Sequence, residues 1–147
     1  MIRIKPTTTR ALNECLSVVT EDVCICAGDV DCEALRDAVM EREKLNVHFA
    51  GASVDCVLLP GKRGDHRRPR TVRAVCGACL YATYDVIRHV GALDERLRVC
   101  AALVEWQLEA YRQFGAKPLW VPSVWCDAEC PVAPCEELER LTGAALL

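Results

Sequence analysis

Eleven cysteines stand in 147 residues, and their spacing is the first chemistry the chain offers. Cys76-Gly77-Ala78-Cys79 sets two thiols around two small residues, so a tight turn can aim both sulfurs at one metal ion while backbone amides swing toward them. A structural zinc site wants four soft ligands, usually as two pairs, because each pair on a turn fixes two vertices at small entropic cost. The second pair is expected among Cys24, Cys26 and Cys32. Cys24 and Cys26 share a face if their segment is a strand, whereas Cys26 with Cys32 would span a turn. Further along, Cys126, Cys130 and Cys135 form a trio with no Cys or His beyond it, and Cys100, inside a helical segment, is a candidate fourth ligand. Buried apolar or surface thiols are the plain alternative for these. His48, His66 and His89 are isolated and read as local hydrogen-bond partners rather than ligands.

The same Cys76/Cys79 spacing also fits a dithiol redox motif, which opens a helix in thioredoxin-like proteins and makes a thiol oxidoreductase the second alternative. That fold needs alternating strands and helices around its motif, and the chain shows no such alternation. No nucleophile elbow, phosphate-cradling glycine loop or metalloprotease helix motif occurs. The expectation is a non-enzymatic protein.

Charge narrows the partners. A net charge of −3 and a sequence pI near 5.6 argue against a protein that blankets phosphates. Basic charge is local instead: Lys62, Arg63, Arg67, Arg68, Arg70 and Arg73 fall in a Gly/Pro-punctuated segment that reads as an exposed loop. Its residues 62–73 could form a rim for acidic partners or a nuclear-import signal, and they carry the first alternative function, a nucleic-acid-binding zinc protein. The first nine residues lack a signal-peptide core, and no stretch approaches the roughly 20 apolar residues of a membrane span. An intracellular location is therefore expected. In a reducing compartment disulfides are disfavoured, and zinc is the cofactor these cysteines imply.

The elements that must position these thiols follow from periodicity. Thr9 is placed as the cap of a short helix carrying Leu12, Cys15, Leu16 and Val19, and Asp31 as the cap of a second that runs to Leu45 and ends at Asn46. Residues 47–50, 54–59 and 71–75 are rich in branched side chains and predict a small three-stranded antiparallel sheet. A helix is expected over 80–90. The strongest pattern covers 94–114, where Leu97, Cys100, Ala101, Val104, Leu108 and Tyr111 form one stripe and Val99, Leu103, Trp106 and Ala110 a second, with Gly115 as terminator. Residues 117–125 read as a Pro-broken extended segment, and a short helix is expected over 136–141. The predicted class is α+β: an N-terminal zinc-binding domain over 1–92, a linker helix over 93–116 and a truncated Cys-rich module over 117–147.

Ala74-Val75-Cys76-Gly77-Ala78-Cys79-Leu80, with Tyr84, Ile87, Arg88 and His89 after it, resembles the second zinc pair and following helix of papillomavirus early protein six. Lys117-Pro118-Leu119, Val124-Trp125-Cys126, Cys130-Pro131, Cys135-Glu136-Glu137 and Arg140 resemble that family's entry into its second zinc domain. Residues 54–59 sit where the family has the middle strand of its first domain. The resemblance implies Cys76 and Cys79 as zinc ligands, Cys24 and Cys26 as their partners, and 94–114 as the linker helix. It also implies an adaptor that grips leucine-rich helices of the LxxLL type on host proteins in the nucleus and cytoplasm, such as a ubiquitin ligase or a transcriptional co-activator, and redirects them, including toward ubiquitin-dependent degradation. Leu103, Trp106 and Ala110, with Lys62 and Arg63 at the rim, are the residues expected to meet such a helix.

Overall fold

Cys79, Leu80, Tyr81 and Ala82 are all buried, which is what a strand covered on both faces requires, and they form β5 (Cys79–Ala82) near the middle of the molecule. The computed structural model describes residues 1–56 and 59–129. Their six strands make one mixed sheet. Besides β5 it contains β1 (Ile2–Ile4), β2 (Val23–Cys26), β3 (Phe49–Ser53), β4 (Arg70–Thr71) and β6 (Leu119–Trp125), in the order β1-β2-β5-β3-β6-β4. The β1/β2 and β3/β6 pairs are parallel and the other three antiparallel.

Among the described residues four α-helices complete an α+β fold: α1 (Thr9–Leu16), α2 (Cys32–Met40), α3 (Tyr84–Val90) and α4 (Val99–Phe114). Side-chain caps set three of their starts. Thr8, rather than Thr9, accepts the Ala11 N–H at 3.1 Å; Asp31 accepts the Ala34 N–H at 3.1 Å; Thr83 accepts the Val86 N–H at 3.4 Å. Thr9 instead points inward and donates to the Leu97 carbonyl. Gly115 ends α4 at φ 70°, a left-handed conformation that glycine adopts without a Cβ penalty.

The sheet departs from the three-stranded antiparallel one that periodicity predicts. The strand expected over 47–50 is β3, Phe49–Ser53; of the one expected over 54–59, Val54 makes only an isolated bridge to Pro60, and residues 57 and 58 lie outside the described residues. Of 71–75 only Thr71 is in a strand, because the backbone of Val75 is claimed by a side chain: Gln107 Oε1 accepts its N–H at 2.8 Å and Gln107 Nε2 donates to its carbonyl at 3.0 Å. The helix expected from Leu80 starts at Tyr84, since tertiary burial overrides the helical leaning of Leu and Ala. Pro122 does not break β6. The β3/β6 register jumps there, with Ala52 opposite Val121 and Ser53 opposite Trp125, so the proline sits in a bulge whose carbonyl accepts the Ser53 hydroxyl at 3.0 Å. Thus β6, within the segment read as a separate module, is hydrogen bonded to β3 and β4 in the same sheet.

Helix α4, expected from 94, starts at Val99; its first apolar stripe runs out to Tyr111, which is 50% exposed, whereas the second is covered. Leu103, Trp106 and Ala110 are 0, 1 and 0% exposed, which withdraws them from any partner surface. Phe49, Tyr81, Trp106 and Trp120 go to the interior, while Tyr111 and Phe114 stay about half exposed. Trp106 packs edge-on against Phe49 with centroids 5.3 Å apart, and its indole N–H donates to the Gly91 carbonyl at 3.1 Å. No helix among the described residues is long and apolar enough to cross a membrane.

Candidate metal centre

Three elements deliver one thiol each to a single point. Cys26 closes β2, and the antiparallel register sets Cys79, the first residue of β5, directly opposite it. Cys126 follows β6, and its N–H is held by the Ser53 carbonyl at 2.9 Å, so β3 carries it in from the other side of β5. The three sulfurs lie within 4.8 Å of one another, and Cys26 Sγ and Cys126 Sγ are 3.1 Å apart. Cys79 and Cys126 are buried, whereas Cys26 is partly exposed. This group could hold a metal ion.

Local backbone prepares the sulfurs for negative charge. The Ala128 N–H points at Cys126 Sγ at 3.4 Å, and the Gly28 amide, two residues past Cys26, acts in the lowering sense on that thiol. Such amide-to-sulfur turns stabilise a thiolate as N-terminal amides stabilise any anion. The two turns pack against each other: a Cβ on Gly28 would lie 2.9 Å from Ala128 N and 3.2 Å from its Cα. Glycine is needed here for the close approach that brings Cys26 and Cys126 together.

Hydrogen bonding among the sulfurs divides their charge. Cys126 is drawn down to about 3 by bonds from Cys26 and then Cys79, with the Ala128 amide adding to them. The donors move the other way: Cys26 is pushed up to about 11, chiefly by Cys126, and Cys79 rises well above the ordinary thiol value for the same reason. Cys126 is thus the sulfur of the three most ready to ionise. A bound cation is what lets the others ionise too. Cys24, beside this group, is lowered by a bond from Cys79 and then, against burial, from Cys32, while burial pushes Cys32 up to about 12. Cys24 thus interacts with Cys79 and Cys32, outside the group of three.

The structure distributes the remaining candidates elsewhere. Among the described residues Cys79 belongs to the metal-competent group, which does not include Cys76; Cys76 Sγ accepts the Ala78 N–H at 3.4 Å. Cys32, at the start of α2, lies next to Cys24 and contacts the Val30 carbonyl at 3.8 Å. Cys100 is apart from Cys126; its thiol is pushed up to about 11 by burial and secondarily by Cys56. Cys130 and Cys135 lie outside the described residues. Spacing alone did not join Cys126 to Cys26 and Cys79, because the contact depends on the β3/β6 pairing. One signal was present: Cys26, Cys76 and Cys126 each have Gly or Ala two residues on, as the amide-to-sulfur turn prefers.

Lys62 and Arg63 are exposed, in keeping with a surface loop, but the loop is not wholly free. Arg67 and Arg70 lay their guanidinium groups over Trp120 at 4.6 and 5.2 Å from the ring centre, which helps leave that ring 1% exposed, and Arg67 also pairs with Asp65. His48 bonds Thr83 and Asn46, a local role. Compared with protein-family models, curated proteins and solved structures, the chain matches none.

Proposed function

We propose that the chain is a non-enzymatic adaptor whose fold is organised by one structural zinc ion, bound by Cys26, Cys79 and Cys126 with Cys24 as the fourth ligand. The observation that carries this reading is the convergence of three thiols from β2, β5 and β6 within 4.8 Å. An all-sulfur set favours zinc or an iron–sulfur centre, and four protein ligands in a largely buried place describe a structural zinc site, with no open position for chemistry.

The partner reading rests on the resemblance to papillomavirus early protein six, with its site moved from the buried α4 stripe to the surface. A groove of about 610 Å³ has Val72, Leu108 and Tyr111 on its floor and Arg73, Arg112 and Lys117 around it. Arg112 is neutralised by Glu105 and Glu109, so Arg73 and Lys117 supply the positive rim. A leucine-rich helix of the LxxLL type with acidic flanks suits that floor and rim. The groove offers a nucleic acid only one exposed aromatic ring for stacking, Tyr111, which favours the protein partner.

Elemental analysis of freshly purified protein should give about one zinc per chain, without the visible absorption of an iron–sulfur cluster. A fluorescein-labelled LxxLL peptide with glutamate flanks should bind zinc-loaded protein with a Kd of order micromolar. The Arg73→Glu/Lys117→Glu variant should weaken that about tenfold or more at unchanged zinc content. Absence of zinc defeats the metal reading; zinc-loaded protein that ignores the peptide defeats the partner reading alone.

A further inference from the structure

The separation of Cys26 Sγ and Cys126 Sγ, 3.1 Å, falls between two chemistries. Sulfurs sharing a tetrahedral zinc ion at roughly 2.3 Å stand about 3.8 Å apart. Sulfurs in a disulfide are about 2.05 Å apart. The backbones behind this pair are already pressed together, Gly28 on Ala128, so little more than about 1 Å of side-chain movement separates the pair from a bond.

Access is uneven in a useful way. Cys26 is the one member of the group that is partly exposed, and it lines a cavity of about 450 Å³ together with Cys24 and Cys32. Cys126, at 0% exposure, lies directly behind it. An oxidant entering the cavity meets Cys26 with a second sulfur in place to complete the reaction.

We propose that Cys26 and Cys126 are a peroxide-oxidisable pair, and that joining them as a disulfide expels the metal; the release rests on the zinc reading above. With a cation bound to ionise it, the Cys26 thiolate attacks hydrogen peroxide, the O–O bond breaks, hydroxide leaves, and Cys26 becomes a sulfenic acid. Cys126 thiolate then attacks the Cys26 sulfur, the S–O bond breaks, and a second hydroxide leaves as the S–S bond forms. Each sulfur gives up one electron and the peroxide takes two. With two protons from solvent, the products are one disulfide and two waters. The metal loses two sulfur ligands at once, and Cys79 with Cys24 is too small a set to hold it in a closed site.

The experiment treats the zinc-loaded full chain with excess hydrogen peroxide, follows zinc with a chromogenic chelator, and maps peptides without reduction. A Cys15→Ser background removes an exposed thiol that would compete for the oxidant. The expected result is release of the bound zinc in step with one cross-linked peptide containing Cys26 and Cys126, reversed by dithiothreitol and added zinc. Zinc retained after oxidation, release with sulfinic acids alone, or a cross-link through other thiols overturns the proposal. The mapping needs no ligand variant, so misfolding cannot hide the answer. A chain that purifies without zinc sinks the zinc reading and the release with it. A zinc-loaded chain lacking the Cys26 to Cys126 link sinks the switch alone.

Discussion

The two ends of β5 are held by different physics. At the Ala82 end the strand pairs with Val23 and Phe49, and Phe49 packs on Trp106 from α4, a region of ordinary apolar burial. At the other end Cys79 faces Cys26 across the ladder and meets Cys126 from β6. Burial of apolar surface accumulates atom by atom, so losing one group costs that group and its cavity. A metal-competent cluster is concerted, because each ligand counts only while the others and the cation are present. One strand thus joins a graded anchor to a metal-competent one, and the two should respond differently to damage.

The largest effect should come from the cysteine end. Stripping metal with a strong chelator under reducing conditions, or replacing Cys79 with Ser, should abolish cooperative unfolding, since binding free energy at such sites is folding free energy of about 10 kcal/mol or more. Near-ultraviolet circular dichroism and thermal melts read the outcome. An unchanged melting temperature after complete stripping would break the contrast.

A smaller, graded loss belongs to the aromatic end. Trp106→Ala removes a ring that is 1% exposed and its bond to Gly91, and should cost about 3–5 kcal/mol. Urea titration of the zinc-loaded variant checks it. Metal stoichiometry should match the wild type in the folded protein, and parallel loss of metal would show that the two ends are one unit.

How far these ends could be read from sequence differs in the same way. Helices α2 and α4 were legible through Asp31, Gly115 and 3.6-residue periodicity, signals that lie within the element itself. β2, β5 and β6 were not read as strands. Val23–Cys26 is too short to show a period, Cys79–Ala82 is covered on both faces and so has no polar alternation, and Leu119–Trp125 is disguised by Pro122. Because the candidate site sits on these three strands, residue type points to Cys26 and Cys79, while spacing groups Cys126 with Cys130 and Cys135. The Cys76 to Cys79 spacing marks a turn whose Ala78 amide faces Cys76 Sγ, and it is the strand pairing of Cys79, not that spacing, that sets it opposite Cys26.

The smallest expected effect tests how β5's neighbourhood is tied to α4. Gln107 is 0% exposed and stands in for a strand by taking both backbone groups of Val75, with a further bond from its Nε2 to the Leu103 carbonyl at 3.1 Å. Gln107→Met keeps the length and buried volume but leaves the Val75 N–H and carbonyl without that partner. A buried polar group left unpaired costs about 1–3 kcal/mol, and the better burial of the thioether offsets part of it, so a net loss of about 2 kcal/mol is expected. The loss should be local: amide hydrogen exchange at Val75 should accelerate more than at Tyr81, which the flanking strands hold, and metal content should stay at the wild-type value. A variant as stable as wild type, with Val75 exchange unchanged, would mean that Gln107 is not what fixes the chain leading into Cys76 and Cys79. The cysteine end would then owe its position to the sheet alone.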